Sequence, residues 1–187
     1  MSVRRIHDQT SCLYFITFTC VKYAPLFETT NLYSFVSYQF SLLDKESYKV
    51  CGFVIMPNHV HFLLYVPDGK NMNLRIGTMK RFLSYEIVKR LKLMSNDKLL
   101  HLLQSQVHAT DRLRGKKHDV FEPSFDARIC LSRNMADQKL KYMHYNPCAG
   151  KWSLVNDYVD YKWSSAYYYE YGDVKDFSYL VRYEEYV

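Results

Sequence analysis

The sequence predicts an α+β domain of the ferredoxin-like class, a four-stranded antiparallel sheet with helices packed on it. Three observations carry this. Runs of β-branched and aromatic residues of strand length stand at residues 12–21, 48–55 and 59–66 and again after Pro123. The second and third runs are joined by the short turn Met56-Pro57-Asn58, which predicts an antiparallel hairpin. Helically spaced apolar residues follow the first, third and fourth runs, so the order begins as the split βαβ pattern.

Taken in order, CLYFITFTCV at 12–21 reads as a buried strand. Thr30 or Asn31 is a suitable cap for a helix through Leu32, Phe35, Val36, Phe40 and Leu43. YKVCGFVI at 48–55 and HVHFLLYV at 59–66 form the hairpin, closed by Pro67-Asp68-Gly69. Residues 73–93 form a long helix that turns Leu74, Ile76, Phe82, Ile87 and Leu91 toward a core and Arg75, Lys80, Arg81, Lys89, Arg90 and Lys92 outward. A polar, basic connection, partly helical, covers 99–117. A fourth strand lies in 121–131, and a helix over 133–145 stops at Asn146-Pro147. The stretch after Trp152 holds Trp163 and nine of the chain's 18 tyrosines.

The chain of 187 residues suits one domain large enough to fold on its own core. With 48% hydrophobic and 24% charged residues and few Gly or Pro, it is neither disordered nor of low complexity. The five cysteines are widely spaced without a CxxC pair, so reduced thiols in a cytoplasmic protein are expected. No signal peptide or membrane-spanning run is legible. A net charge of +6 with many tyrosines is compatible with nucleic acid, because cations meet phosphates and rings stack on bases. Charge is polarised along the chain. Residues 80–117 carry ten Lys or Arg against three acids, whereas residues 157–187 carry three against seven. The acidity of the tail favours tyrosines that cover the core over tyrosines that stack on bases.

Two motifs carry chemistry. In Met56-Pro57-Asn58-His59-Val60-His61 the histidines are two apart on a strand and project from one face, as metal ligands or as hydrogen-bonded structural residues. In Tyr142-Met143-His144-Tyr145-Asn146-Pro147, at a helix end, Tyr142 and Asn146 share a face.

Together, GFVIMPNHVHFLL at 52–64 and YMHYNP at 142–147 resemble the single-tyrosine HUH transposases of bacterial insertion sequences, and most of all their REP-associated tyrosine transposase branch. The resemblance spans about residues 10–165 of a single 1–187 domain and leaves a Tyr-rich tail, 166–187, outside it. It implies a DNA-nicking and strand-transfer enzyme that works through a 5′-phosphotyrosine link. It also implies Tyr142 as nucleophile, and His59, His61 and Asn146 as ligands of a divalent cation, Mg²⁺ or Mn²⁺. The implied substrate is single-stranded DNA containing a hairpin. Lys80, Arg81, Arg112, Arg114, Lys116 and Lys117 are the candidate DNA contacts, with Arg4 and Arg5 also available. Family members act as homodimers or as monomers, and the sequence leaves that choice open. Lys139, Lys141 and His144 are candidates for assisting loss of the Tyr142 proton. Two other readings use the same residues: a non-catalytic module that binds a DNA or RNA hairpin, and a metal hydrolase with water as nucleophile. No further Asp, Glu or His cluster completes a hydrolytic site.

Overall fold

The computed structural model describes residues 9–187; Arg4 and Arg5 lie outside the described residues. Four strands form one sheet: β1 Cys12–Thr19, β2 Lys49–Ile55, β3 His59–Val66 and β4 Asp126–Cys130. Their spatial order is β2-β3-β1-β4 and every pairing is antiparallel, which is the ferredoxin-like arrangement. The hairpin turn predicted at 56–58 joins β2 to β3.

Strand alternation divides the sheet into two faces. Tyr14, Ile16, Phe18, Phe62 and Leu64 point to one face, which is covered by α2, Tyr33–Lys45, and α3, Met72–Leu93. A short helix, α1 at Leu26–Thr29, precedes α2. On this face Phe40 packs on Phe62 and Phe53 with ring centroids 5.2 and 5.3 Å apart. Leu13, Phe15 and Leu63 point to the opposite face and meet Leu140 and Met143 of α6, Arg133–Tyr145. Gly52 lets α6 come close: a Cβ there would stand 2.7 Å from Leu140 Cδ1 and 2.8 Å from Met143 Cε.

The cap expected at Thr30 or Asn31 is not formed: α2 starts after Leu32 with no side-chain cap, because that residue already has helical backbone angles. Asn71 accepts from Leu74 N at the start of α3, and Ser132 accepts from Met135 N at the start of α6. The basic connection contains two helices, α4 Asp97–Ser105 and α5 Ala109–Leu113. The face of α3 matches expectation in part. Met72, Ile76, Met79, Leu83, Ile87 and Leu91 are buried, whereas Leu74 and Phe82 are exposed. Arg75, expected outside, is buried and bonded to Glu46 at 2.7 Å. Ile76, Ile87 and Leu91 are buried as expected, and Met72, Met79 and Leu83 complete the stripe in place of Leu74 and Phe82, which fall outside it.

Some of the C-terminal tyrosines cover the core, as the acidity of their segment suggested, whereas Tyr171 is exposed. Tyr161, Tyr179 and Tyr183 are buried, and Tyr161 OH donates to Ile55 O at 2.8 Å. Residues Ser164 and Leu180 make single bridges to Val54 and Val50, which shields the outer edge of β2. A last helix, α7, occupies Ala166–Tyr171. No helix among the described residues is long and apolar enough to cross a membrane.

Candidate active site

The turn before β3 fixes the first histidine. Asn58 is buried and its Nδ2 donates to Tyr23 O at 3.0 Å, so Oδ1 is the atom that faces His59. It lies 2.6 Å from His59 Nδ1. An amide oxygen only accepts, so His59 Nδ1 carries the proton and Nε2 keeps its lone pair. His61, two residues on, projects from the same face, and the two ring centroids are 4.7 Å apart. Thr17 is its cross-strand partner on β1, and Thr17 Oγ1 lies 2.6 Å from His61 Nδ1. Both rings are therefore held through Nδ1, which leaves Nε2 as the site-facing nitrogen.

Burial keeps both imidazoles neutral. It pushes His59 down to about 4, with help from the charge of Lys151, and pushes His61 down to about 3, with help from His59 and Lys139.

Tyr142 comes to this pair from α6 across the same face. Tyr142 is 55% exposed, and its ring centroid lies 5.4 Å from that of His61. Phe15 of β1 forms the floor. It stacks on His61 at 5.4 Å with a 19° interplanar angle and meets Tyr142 edge-on at 6.2 Å. Asn146 follows one turn after Tyr142, at the point where α6 gives way to a 3-10 turn, Asn146–Cys148. Its Nδ2 is buried without a hydrogen-bond partner. Rotating the amide by 180° would place the acceptor oxygen at that position.

These groups suit a divalent cation in part by chemistry. With the proton on Nδ1 of each ring, two Nε2 lone pairs and one amide oxygen would form a neutral ligand set. The nitrogen ligands fit Mn²⁺ better than Mg²⁺. Among the described residues no group of three or more His, Cys, Asp or Glu is assembled for a metal, so an amide would have to complete this set.

Among the candidates for assisting loss of the Tyr142 proton, His144 is buried and points the other way, with Nε2 2.8 Å from Ser165 Oγ. Lys141 is paired with Asp137 at 3.0 Å. Lys139 lies over the Phe15 ring, 5.1 Å from its centroid.

The candidate DNA contacts divide in two. A groove of about 1760 Å³ runs between α3 and residues 114–126, and Lys80, Arg81, Arg114, Lys116 and Lys117 all line it, together with Tyr85. Arg81, Arg114 and Lys117 are exposed there. Lys80 is half-buried in its wall, where it donates to Glu122 O at 2.9 Å and Ser124 O at 3.3 Å. Burial lowers Lys80 to about 8. Lys116 is paired with Asp119 at 2.6 Å. Arg112 is not in the groove and donates to Gln104 O at 3.1 Å, next to the end of α4. The groove also includes Asp126, whose backbone pairs with Thr17, the partner of His61.

Phe15, Thr17, Asn58 and Ser165 were not singled out from the sequence. Asn58 had a local signal, since it directly precedes the first histidine. The other three are brought in by strand register or by the tail.

No family profile matches the chain, and no curated protein does. Solved structures do. The structure of a REP-associated tyrosine transposase bound to a REP hairpin superposes with a TM-score of 0.59 and 18% identity, over 97% of this chain and 98% of that one. The chain has the fold of that transposase. A candidate transposase from Deinococcus radiodurans R1 is more distant, with a TM-score of 0.43 and 13% identity over 76% of this chain and 95% of that one. The match to the REP-associated structure extends beyond the segment that carries the sequence motifs and takes in most of the C-terminal tail.

Proposed function

We propose that the protein is a tyrosine transposase or nickase of the REP-associated type, which cleaves and rejoins single-stranded DNA that contains a hairpin. The observation that carries this reading is the convergence of Tyr142 and His61 on Phe15, with His59 beside His61, from a helix and two strands of one chain. The neighbour's hairpin supports a hairpin as the ligand here, and the basic groove supports a phosphate-rich partner.

Tyr142 Oη attacks the scissile phosphorus. An O–P bond to the tyrosine forms, the bond from phosphorus to the 3′ oxygen breaks, and the 5′ end stays on the protein. The phenol proton leaves to solvent, and the departing 3′ oxygen takes one from solvent. The phosphoester energy is kept in the link, so a 3′-OH from another strand reverses the step and joins new ends. Phe15 holds the Tyr142 and His61 rings in register, while Asn58 and Thr17 orient the imidazoles. A divalent ion held by His59, His61 and Asn146 would supply Lewis-acid polarisation of the phosphate.

The test is a trapping assay. Labelled single-stranded hairpins drawn from the DNA flanking the gene are incubated with the protein and Mn²⁺ or Mg²⁺. The expected product is a denaturation-resistant protein–DNA adduct, absent with EDTA and absent in Tyr142→Phe. Tight hairpin binding without an adduct would instead identify a binding module.

A further inference from the structure

Lys139 stands three residues before Tyr142 on α6, so the two side chains lie on one flank of the helix. Its ammonium lies 5.1 Å from the centroid of Phe15, the ring that also stacks on His61 and meets the edge of Tyr142. An imidazole, a phenol and an ammonium therefore converge on one side chain of β1. The charge is felt around it: Lys139 contributes to holding His61 down, and it partly offsets the effect of burial on the Cys130 thiol.

Two neighbouring cations are engaged by acids. Lys141 pairs with Asp137 at 3.0 Å, and Arg128, opposite Phe15 on β4, lies 3.3 Å from Asp126. Lys151 acts from the His59 side and lies 5.1 Å from the Trp152 ring centroid. Lys139 is half-buried and has no ion pair among the described residues. A half-buried ammonium that shares a helix flank with Tyr142 and lacks an acid is suited to an incoming anion.

Resting on the tyrosine-nuclease reading above, we propose that Lys139 is a catalytic residue that meets a non-bridging oxygen of the scissile phosphate on the Tyr142 side of the histidine pair. As Tyr142 Oη bonds to phosphorus and the 3′ oxygen departs, negative charge builds on the non-bridging oxygens. The Lys139 ammonium offsets that charge and transfers no proton, so the proton balance of the step is unchanged. The role needs a fixed positive charge at this position.

The experiment uses the full chain, Mn²⁺ and the labelled hairpin. Single-turnover adduct formation, hairpin affinity and Tm are measured for wild type, Lys139→Gln, Lys139→Arg and Tyr142→Phe. Lys139→Gln is expected to slow adduct formation by about 10²–10³-fold while hairpin affinity and Tm hold. Lys139→Arg, which keeps the charge, is expected to recover most of the rate. A second substrate carries a neutral methylphosphonate at the scissile position; on it the gap between wild type and Lys139→Gln is expected to shrink. An unchanged rate in Lys139→Gln overturns the proposal. So does a loss of rate that Lys139→Arg fails to recover and that tracks a fall in Tm, because Lys139 would then be a cap on Phe15. Absence of any adduct from wild type, or an undiminished adduct from Tyr142→Phe, sinks the nuclease reading itself and Lys139 with it.

Discussion

His144 Nε2 lies 2.8 Å from Ser165 Oγ, and this contact ties the helix of Tyr142 to the C-terminal segment. Ser165 in turn accepts from Phe53 N at 2.9 Å, so helix, tail and β2 meet at one hydroxyl. The other end of α6 is held as well, since Arg133 donates to Glu184 O and Val187 O, each at 3.2 Å. Ser165→Ala leaves the buried His144 nitrogen without its partner and is expected to cost about 1–3 kcal/mol. Thermal unfolding should show a drop of several degrees. The adduct rate should fall more than hairpin affinity, because α6 carries Tyr142 and contributes nothing to the groove.

Stability is expected to decline in mild acid. His59, His61 and His144 are held by burial at about 4, 3 and 4, below the ordinary 6.5 of an unfolded histidine. The folded state thus binds fewer protons than the unfolded one. Stability is fully present above 6.5 and is lost as pH falls from there toward 4, by about 1.4 kcal/mol per pH unit for each such group. Unfolding measured between pH 7 and 4.5 should show this slope, and His144→Gln should make it shallower.

Metal should stabilise the free protein. An ion that binds only the folded chain adds about 2.7 kcal/mol at one hundred times its Kd, or a rise in Tm of about 5–10 °C. Mn²⁺ is expected to give such a rise. His59→Ala and His61→Ala should abolish it, and Asn146→Ala should reduce it. Thr17→Val, which removes the partner of His61 Nδ1, should weaken metal affinity by about 10–100-fold. A flat Tm across the Mn²⁺ titration would remove the metal assignment.

Groove residues should separate into two behaviours. Arg114→Gln and Lys117→Gln, both exposed, are expected to weaken hairpin binding and to lower the slope of log K against log salt by about one each. Lys80→Met should act mainly on stability, because that ammonium holds the Glu122 and Ser124 carbonyls. Fluorescence anisotropy between 50 and 200 mM salt, roughly the range in which phosphate contacts are most visible, separates the two.

Local patterns made the strands, the hairpin turn, the Ser132–Tyr145 helix segment and the two chemical motifs readable along the chain. Alternation put His59 and His61 on one face because side chains two apart on a strand must share it. Helical spacing put Tyr142 and Asn146 on one flank for a similar reason. Those are short-range consequences of backbone geometry, which neighbouring residues largely determine. Strand register and the path of the tail decided the rest. Phe15 reaches His61 only because β1 pairs with β3 in this register, and His144 turns from site candidate to buried anchor only because Ser165 comes back to β2 from more than a hundred residues away. Lys80, Arg112 and Lys116 read as free cations in the sequence, yet carbonyls or acids elsewhere in the chain engage them. The partner of a charge or a ring is chosen by long-range packing, and no local pattern in the sequence encodes it.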